Sequence, residues 1–283
     1  MSSRRYARNL VCPHCGSSLR RDTARAVCAN GHTFDVSRRG YVNLLPAHLT
    51  RSRSPGDTRA ALQHRSRFLS GGYFDRLSDL LVMKSRGLLE QTRRNHPISL
   101  LDAGCGEGHL TTRWLSGLGG GTEVDAVGSD ISKWAIDLAA RRSSNVDWIV
   151  ASNRELPIAD DSVDLITCVF GFPHLDCFRR VLALGGWLLL VESASDHLVE
   201  LRSLIYDDVA TKQSGIEAKR GFTLIDRDAL RYETTVQGEH VWDLLAMTPH
   251  FYRASESAKA RVEGTRELAL TVSIRLSIYE ATR

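Results

Sequence analysis

Asp102-Ala103-Gly104-Cys105-Gly106-Glu107-Gly108 is the stretch on which the fold turns. It closes an aliphatic run, 98–103, that reads as a strand, and it opens a segment, 110–118, that reads as a helix. Glycines at alternate positions let the chain turn sharply and leave bare main chain for a ligand. The helix behind them offers its unpaired N–H groups to the same place. Outward from this loop the alternation continues. Residues 124–130, 146–151, 163–170 and 187–192 read as further strands. Helices are expected at 133–142, with Ala135, Ile136, Leu138 and Ala139 on the inner face, and around 177–182. Alternation at this spacing predicts an α/β fold with a parallel, doubly wound, Rossmann-like sheet. Such sheets bind ligands beyond the carboxyl ends of the strands, near the point where strand order reverses.

A glycine loop alone also suits a dinucleotide-binding dehydrogenase. Here the spacing is G-x-G-x-G rather than G-x-G-x-x-G, and nothing elsewhere resembles a hydride-transfer site. Asp102 at the strand end is placed to meet a cationic amino-acid group, which favours S-adenosylmethionine as the ligand of Gly104 and Gly106. Asp130 ends the second strand, 26 residues after Gly104. It can accept hydrogen bonds from both hydroxyls of a ribose, or stand simply as an acid at a helix N-terminus. Asn153 follows the third strand. With 156–164, Leu-Pro-Ile-Ala-Asp-Asp-Ser-Val-Asp, it resembles the adenine-proximal loop of class I methyltransferases. Gly185-Gly186-Trp187, read as a turn before the fifth strand, is another mark of that superfamily.

The N-terminal stretch carries a second signal. Cys12-Pro13-His14-Cys15-Gly16 and Cys28-Ala29-Asn30-Gly31-His32 give the spacing C-x2-C-x12-C-x3-H. Two such turns supply a closed tetrahedral set, Cys12, Cys15, Cys28 and His32, which is the chemistry of one structural Zn2+. His14 is expected at the surface. About 45 residues hold too little core to fold without such a staple. The remaining three of six cysteines are scattered, and Cys168 and Cys177 read as small buried hydrophobes. Net charge is +4, but residues 1–67 hold 13 basic side chains against 3 acidic ones, a balance of +10. That cluster is either a footprint for a polyanion or a solvated arm. No apolar h-region follows the first residues and no stretch is long enough to span a bilayer, so a soluble, cytoplasmic protein without membrane contact is expected. The division expected is 1–45 zinc-binding ribbon for RNA recognition, 46–74 basic linker with the helix that leads into the catalytic domain, and 75–283 methyltransferase domain. Residues 51–57 read as a linker or mobile loop.

Taken together, ribbon and catalytic landmarks resemble the RlmA-type 23S rRNA (guanine-N1)-methyltransferases, a group that includes macrolide-resistance enzymes of antibiotic producers. The resemblance runs nearly end to end. It rests on Cys12-Pro13-x-Cys15, Gly31-His32-Thr33-Phe34-Asp35-Val36, Gly40-Tyr41-Val42-Asn43-Leu44-Leu45, Arg51-Ser52-Arg53-x-Pro55-Gly56-Asp57 and Met247-Thr248-Pro249. It implies methyl transfer to guanine N1 in a 23S rRNA hairpin near the peptide exit tunnel, and a homodimer whose ribbons help form the RNA cleft. It also implies donor contacts from Tyr73, from Leu110 and Thr111 at a helix start, and from His197. The alternative for Tyr73 is a packing residue, and for His197 a helix N-terminal residue. Guanine N1 must lose a proton, and His174, after the fourth strand, is the candidate base. The chain departs from the family in that loop: aromatic-Ala-Pro becomes Phe170-Gly171-Phe172-Pro173, which leaves the exact nucleotide open. Two rival functions share these features, a small-molecule methyltransferase and a non-catalytic RNA- or ribosome-binding protein.

Overall fold

The computed structural model of the chain describes residues 9–22, 24–50, 55–91, 97–119, 123–207 and 221–282. Near the N-terminus β1 (Leu19–Asp22), β2 (Arg25–Cys28) and β3 (Thr33–Asp35) form an antiparallel sheet in that order. Its buried apolar set is small, with Leu10, Cys12, Leu19, Ala26 and Cys28 at its centre, too little to hold the fold without a cross-link. The next strand, β4 (Val42–Asn43), leaves this ribbon and pairs in parallel with β7 (Asp147–Val150) of the large sheet. Val42 also bridges Val36 of the ribbon, so the last strand before residue 45 is shared between the ribbon and the large sheet. The ribbon is held at a second point, where Leu10 bridges Ile158 and the Asn9 amide donates to Ser99 Oγ at 2.7 Å.

Helix α1 (Arg59–Ser70) starts at Thr58, whose hydroxyl accepts the Ala61 N–H, and it buries Leu62, Phe68 and Leu69. It packs on α7 (Glu239–Ala246). With α2 (Asp75–Gln91) it belongs to the core around Leu77, Leu81 and Trp114, so a cut at residue 75 would strip Phe68 from that core. Of the 51–57 stretch read as a linker, the described residues 55–57 include two packed against Ser132. Gly56, at φ +82, lies so close to Ser132 that an added Cβ would come within 2.8 Å of its side chain. Ser132 Oγ donates to the Asp57 carbonyl at 3.0 Å. Arg51 and Arg53 lie outside the described residues.

The central strands β5 (Ile98–Ala103), β6 (Val124–Asp130), β8 (Val163–Val169) and β9 (Leu182–Ser193) form where expected. So do α3 (His109–Leu118), α4 (Lys133–Arg142) and α5 (Leu175–Val181). Ala135, Ile136 and Ala139 of α4 are buried, whereas Leu138 is only half-buried. The sheet order is β10-β11-β9-β8-β5-β6-β7-β4. The five predicted strands are parallel and β4 adds a sixth, but β11 (Glu267–Ala281) and β10 (Phe222–Gln237) add an antiparallel edge. Gly185 and Gly186 stand not in a turn before β9 but inside it, in a register shift that puts Leu182 opposite Val163 and Trp187 opposite Leu165. The direction of chain travel reverses between β5 and β8, which puts the crevice at the carboxyl ends of these strands.

Gly128 in β6 is needed for packing. A Cβ there would lie 2.3 and 2.4 Å from ring atoms of buried Trp148. Gly128→Ala is expected to lower stability by about 1–3 kcal/mol through overpacking, read as a lower urea midpoint with an unchanged slope; a wild-type midpoint would show that the ring can move aside.

Candidate donor site and metal centre

In the 102–108 loop Gly104, Gly106 and Gly108 take φ of +87, +57 and +79, values open to glycine and costly for other residues. The loop is laid along the end of β6 by hydrogen bonds from the Gly104 and Cys105 N–H groups to the Ser129 carbonyl, at 2.8 and 3.0 Å. Asp130 completes the join. Its Oδ2 accepts the Gly106 N–H at 3.0 Å and its Oδ1 accepts the Ser132 N–H at 2.8 Å. Each carboxylate oxygen has a second lone pair, so the group can still accept hydroxyl donors. Burial raises its pKa, and the two backbone hydrogen bonds oppose that rise.

Asp102, at the end of β5, has two partners within the fold. It is buried, and its oxygens accept the hydroxyls of Thr111, in the first turn of α3, and of Thr167 on β8. Burial pushes its pKa up to about 6 against those hydrogen bonds. It braces β5, α3 and β8 against one another, and the Thr111 hydroxyl is spent on it. Leu110 and Thr111 stand in the first turn of α3, where N–H groups have no partner within the helix.

Across the crevice, Asn153 donates its amide to the Phe172 carbonyl at 3.1 Å. A Cβ on Gly104 would lie 3.8 Å from Gly171 Cα and 4.0 Å from Asn153 Nδ2. The loops after β5, β7 and β8 therefore converge on one point, together with Gly104, Gly106, Asp130 and Asn153. His174, at the start of α5, ends the third loop, and its Nδ1 is buried without a hydrogen-bond partner among the described residues. Phe170 in the same loop has φ +52, an uncommon state for a bulky side chain. Its ring stacks on His197 at 5.4 Å and lies 6.1 Å from Phe74. Phe74 meets Phe68 edge-on, and Phe68 stacks on Tyr73 at 4.8 Å. Tyr73 and His197 thus belong to one aromatic wall that reaches the crevice. His197 Nδ1 accepts the Ser273 N–H at 3.1 Å, and burial lowers its pKa to about 4. The ring is neutral, with its proton on Nε2.

At the ribbon, the ligand atoms of Cys12, Cys15, Cys28 and His32 all lie within 4.8 Å of one another. Cys15 Sγ is 3.7 Å from Cys28 Sγ, and His32 Nδ1 is 3.6 and 3.5 Å from the sulfurs of Cys12 and Cys28. A tetrahedron built on Zn–S and Zn–N bonds of roughly 2.3 and 2.0 Å has edges of about 3.8 and 3.5 Å. The donor set fits zinc in both chemistry and size. Hydrogen bonds from Ser17 lower the pKa of the Cys15 thiol to about 5. His14 stands outside the set, its exposed ring stacked on Phe34.

Two family models match: that of the RlmA N-terminal zinc ribbon over residues 10–53, and that of a methyltransferase domain over residues 100–186. The 23S rRNA (guanine(748)-N(1))-methyltransferase of Streptomyces fradiae is 30% identical over 94% of this chain and 95% of its own length. Proteins of Bacillus subtilis and Micromonospora griseorubida, each named a putative 23S rRNA (guanine-N(1)-)-methyltransferase, are each 31% identical, over 94% and 96% of this chain and 95% and 97% of theirs. This chain belongs to the RlmA-type 23S rRNA (guanine-N1)-methyltransferase family. S-adenosylmethionine is the methyl donor of this class of domain, and the bare main chain at Gly104 and Gly106 beside Asp130 fits it.

Within the RlmA-type chain one residue of the site escaped the sequence. Arg65 on α1 sits over the glycine loop, its Nη1 3.3 Å from where a Gly106 Cβ would be. It pairs with Asp57 at 3.0 Å and donates to the Met247 carbonyl at 3.4 Å. Two of the stretches that carry the family resemblance thus meet at one guanidinium against the donor loop. Glu107, the buried acid of the loop, is paired with Arg142 at 3.1 Å. The available signal was the spacing of arginines among apolar residues on α1, which does not say which of them turns inward.

Cys28→Ser is expected to lose one equivalent of zinc and hydrogen-exchange protection over β1–β3, since binding and folding are one event in so small a module. Metal analysis of the intact wild-type protein showing no zinc would overturn this assignment. Asp130→Ala is expected to weaken donor binding by on the order of 1.5–3 kcal/mol, the scale of hydrogen bonds to a charged acceptor, with RNA affinity nearly unchanged. Wild-type donor affinity by calorimetry would reduce Asp130 to a fastener of the loop.

Proposed function

We propose that this chain transfers the methyl group of S-adenosylmethionine to N1 of a guanine in a 23S rRNA hairpin. The observation that carries this reading is the strand β4. Through it the ribbon is built into the edge of the sheet whose neighbouring strand, β7, leads directly to Asn153 in the donor crevice. An RNA gripped by the ribbon is then held at a fixed position from the donor. A small-molecule methyltransferase would share the crevice but have no use for a basic zinc module joined to it.

A sulfonium donor supplies an activated methyl and leaves as a neutral thioether, so no general acid is required. The chain's own task is alignment, which can account for most of the rate. The target base must first leave its stack to reach the crevice. The loop after β8 meets it there, and exposed Phe172 (92% accessible) stands in that loop. The N1 proton is assigned to His174, the titratable side chain between Phe170 and Leu175. Leu110, Thr111, Tyr73 and His197 are assigned to the donor side, through the helix start and the aromatic wall. We further assign a homodimer acting in the cytoplasm. The described residues include no helix long and apolar enough to cross a membrane.

The decisive experiment is a mass map of methylated nucleotides in 23S rRNA from cells with and without the gene; a map without a gene-dependent methylguanine would overturn the reading. Affinity of the full chain for the hairpin is expected to fall steeply with salt. Replacing Arg38 and Arg39 with glutamine is expected to flatten that slope by about one unit per lost phosphate contact. An unchanged slope in a folded, zinc-loaded double variant would show that this pair only keeps the surface solvated.

A further inference from the structure

A second cavity, of about 400 Å³, lies between the ribbon's tail and helices α1 and α4. It is separate from the donor crevice and is built from three segments distant in sequence. Arg39 and Tyr41 come from the tail, Arg59 and Gln63 from successive turns of α1, and Trp134 with its neighbours from one face of α4. Trp134 is 45% exposed, an unusual state for the side chain with the largest apolar surface. The Arg59 guanidinium stands over its ring, 5.6 Å from the centroid.

The charge around the ring is one-sided. Asp137 pairs with Arg39 and, at 3.4 Å, with Arg141, while Arg59 and Lys133 have no carboxylate partner among the described residues. Four cations and one acid leave a local balance of +3. Residues with hydrogen-bonding side chains line the same cavity: Gln63, Tyr41, which is itself largely buried, and Asp137. A flat aromatic platform, donors and acceptors at its rim and a surplus of cations are what an unpaired nucleotide requires. Its base stacks, its edge is read and its phosphates are neutralised.

We infer that this cavity is a second RNA site, which takes one extrahelical nucleotide of the rRNA hairpin onto Trp134, with Lys133, Arg59 and Arg141 on its phosphates. The inference rests on the rRNA reading above and adds to it a specificity-determining contact. The guanine to be methylated enters the donor crevice, while a second unpaired base is anchored beside α4. Lys133 opens α4 three residues after Asp130 ends β6, so the anchor follows directly on the donor-site strand, which fixes the distance between the two bases. The hairpin is then selected by the spacing of two flipped nucleotides as well as by its helical shape.

The test uses the full zinc-loaded protein, a 23S rRNA hairpin fragment that it methylates, and the variants Trp134→Ala, Trp134→Phe and Lys133→Gln/Arg141→Gln. Trp134→Ala is expected to weaken RNA binding and raise KM for RNA by roughly five- to a hundredfold, the range for one lost base–aromatic stack. Its kcat at saturating RNA and its donor affinity should stay at wild-type values. Trp134→Phe should recover most of the loss, and the double variant should lower the salt slope by about two. 2-Aminopurine placed at each unpaired position in turn should be quenched at one position by the wild type and not by Trp134→Ala. Wild-type RNA affinity in a folded Trp134→Ala would overturn the site while leaving the methyltransferase reading intact. A wild-type protein that binds no rRNA hairpin would overturn both. Tighter binding of an acidic peptide than of the hairpin, lost in Trp134→Ala, would reassign the cavity to a protein partner and overturn the RNA site.

Discussion

Val42 and Asn43 pair in parallel with Ile149 and Val150, and the Leu44 N–H continues the ladder to the Val150 carbonyl at 3.0 Å. A chain held at three successive residues cannot pivot, so the ribbon that precedes it is fixed to the sheet as an extension rather than tethered as a separate module. The second attachment, where Val11 and Ala159 exchange backbone hydrogen bonds with Pro157 and Asn9 at 3.0 and 2.9 Å, restrains rotation about the first. Both attachments act to hold the basic surface of the ribbon, the cavity beside α4 and the donor crevice at constant separations. An enzyme that must choose one base in a large folded RNA needs such constancy, because a misplacement of one ångström at the reacting atoms is costly.

The donor loop solves a different problem, that of gathering three acids at one point. Asp102, Glu107 and Asp130 all lie within or beside it, and burial raises the pKa of each. Arg142 from the end of α4 compensates Glu107, Arg65 from α1 covers the loop near Asp130, and hydroxyls hold Asp102. The acids are thus satisfied by α1, α3, α4 and β8 together, and the loop's shape depends on α1 as much as on the strands that flank it.

The central strands and the zinc ligands were legible in the sequence because each has a local signature: aliphatic runs of strand length, and cysteine pairs at fixed spacing. The antiparallel edge was not. In β10 exposed residues such as Arg227, Arg231 and Glu233 dominate, and β11 supplies the apolar face that makes sense of them. The roles of Asp130 and Asp102 were separable only in three dimensions. Both close a strand before a polar turn, yet Thr111 and Thr167 engage one and backbone N–H groups the other. β4 has two residues, too few for any periodicity, and the pairing that defines it lies more than a hundred positions away. Arg65 is one arginine among several in its helix, and its inward direction is set by Asp57 and Met247.

That distant pairing has a consequence for how the protein is made. The ribbon leaves the ribosome first and can take up zinc on its own ligands, but β4, bridged to Val36 alone, finds its parallel partner only when β7 has been synthesised, about 107 residues later. At bacterial elongation rates this is roughly 5–20 s, during which a short apolar segment at the ribbon's edge is an open strand. Its brevity and the arginines before it keep that edge from recruiting other chains. Metal uptake and assembly of the sheet are therefore separated in time, and a chain short of zinc would reach the second stage with its N-terminal strand unplaced.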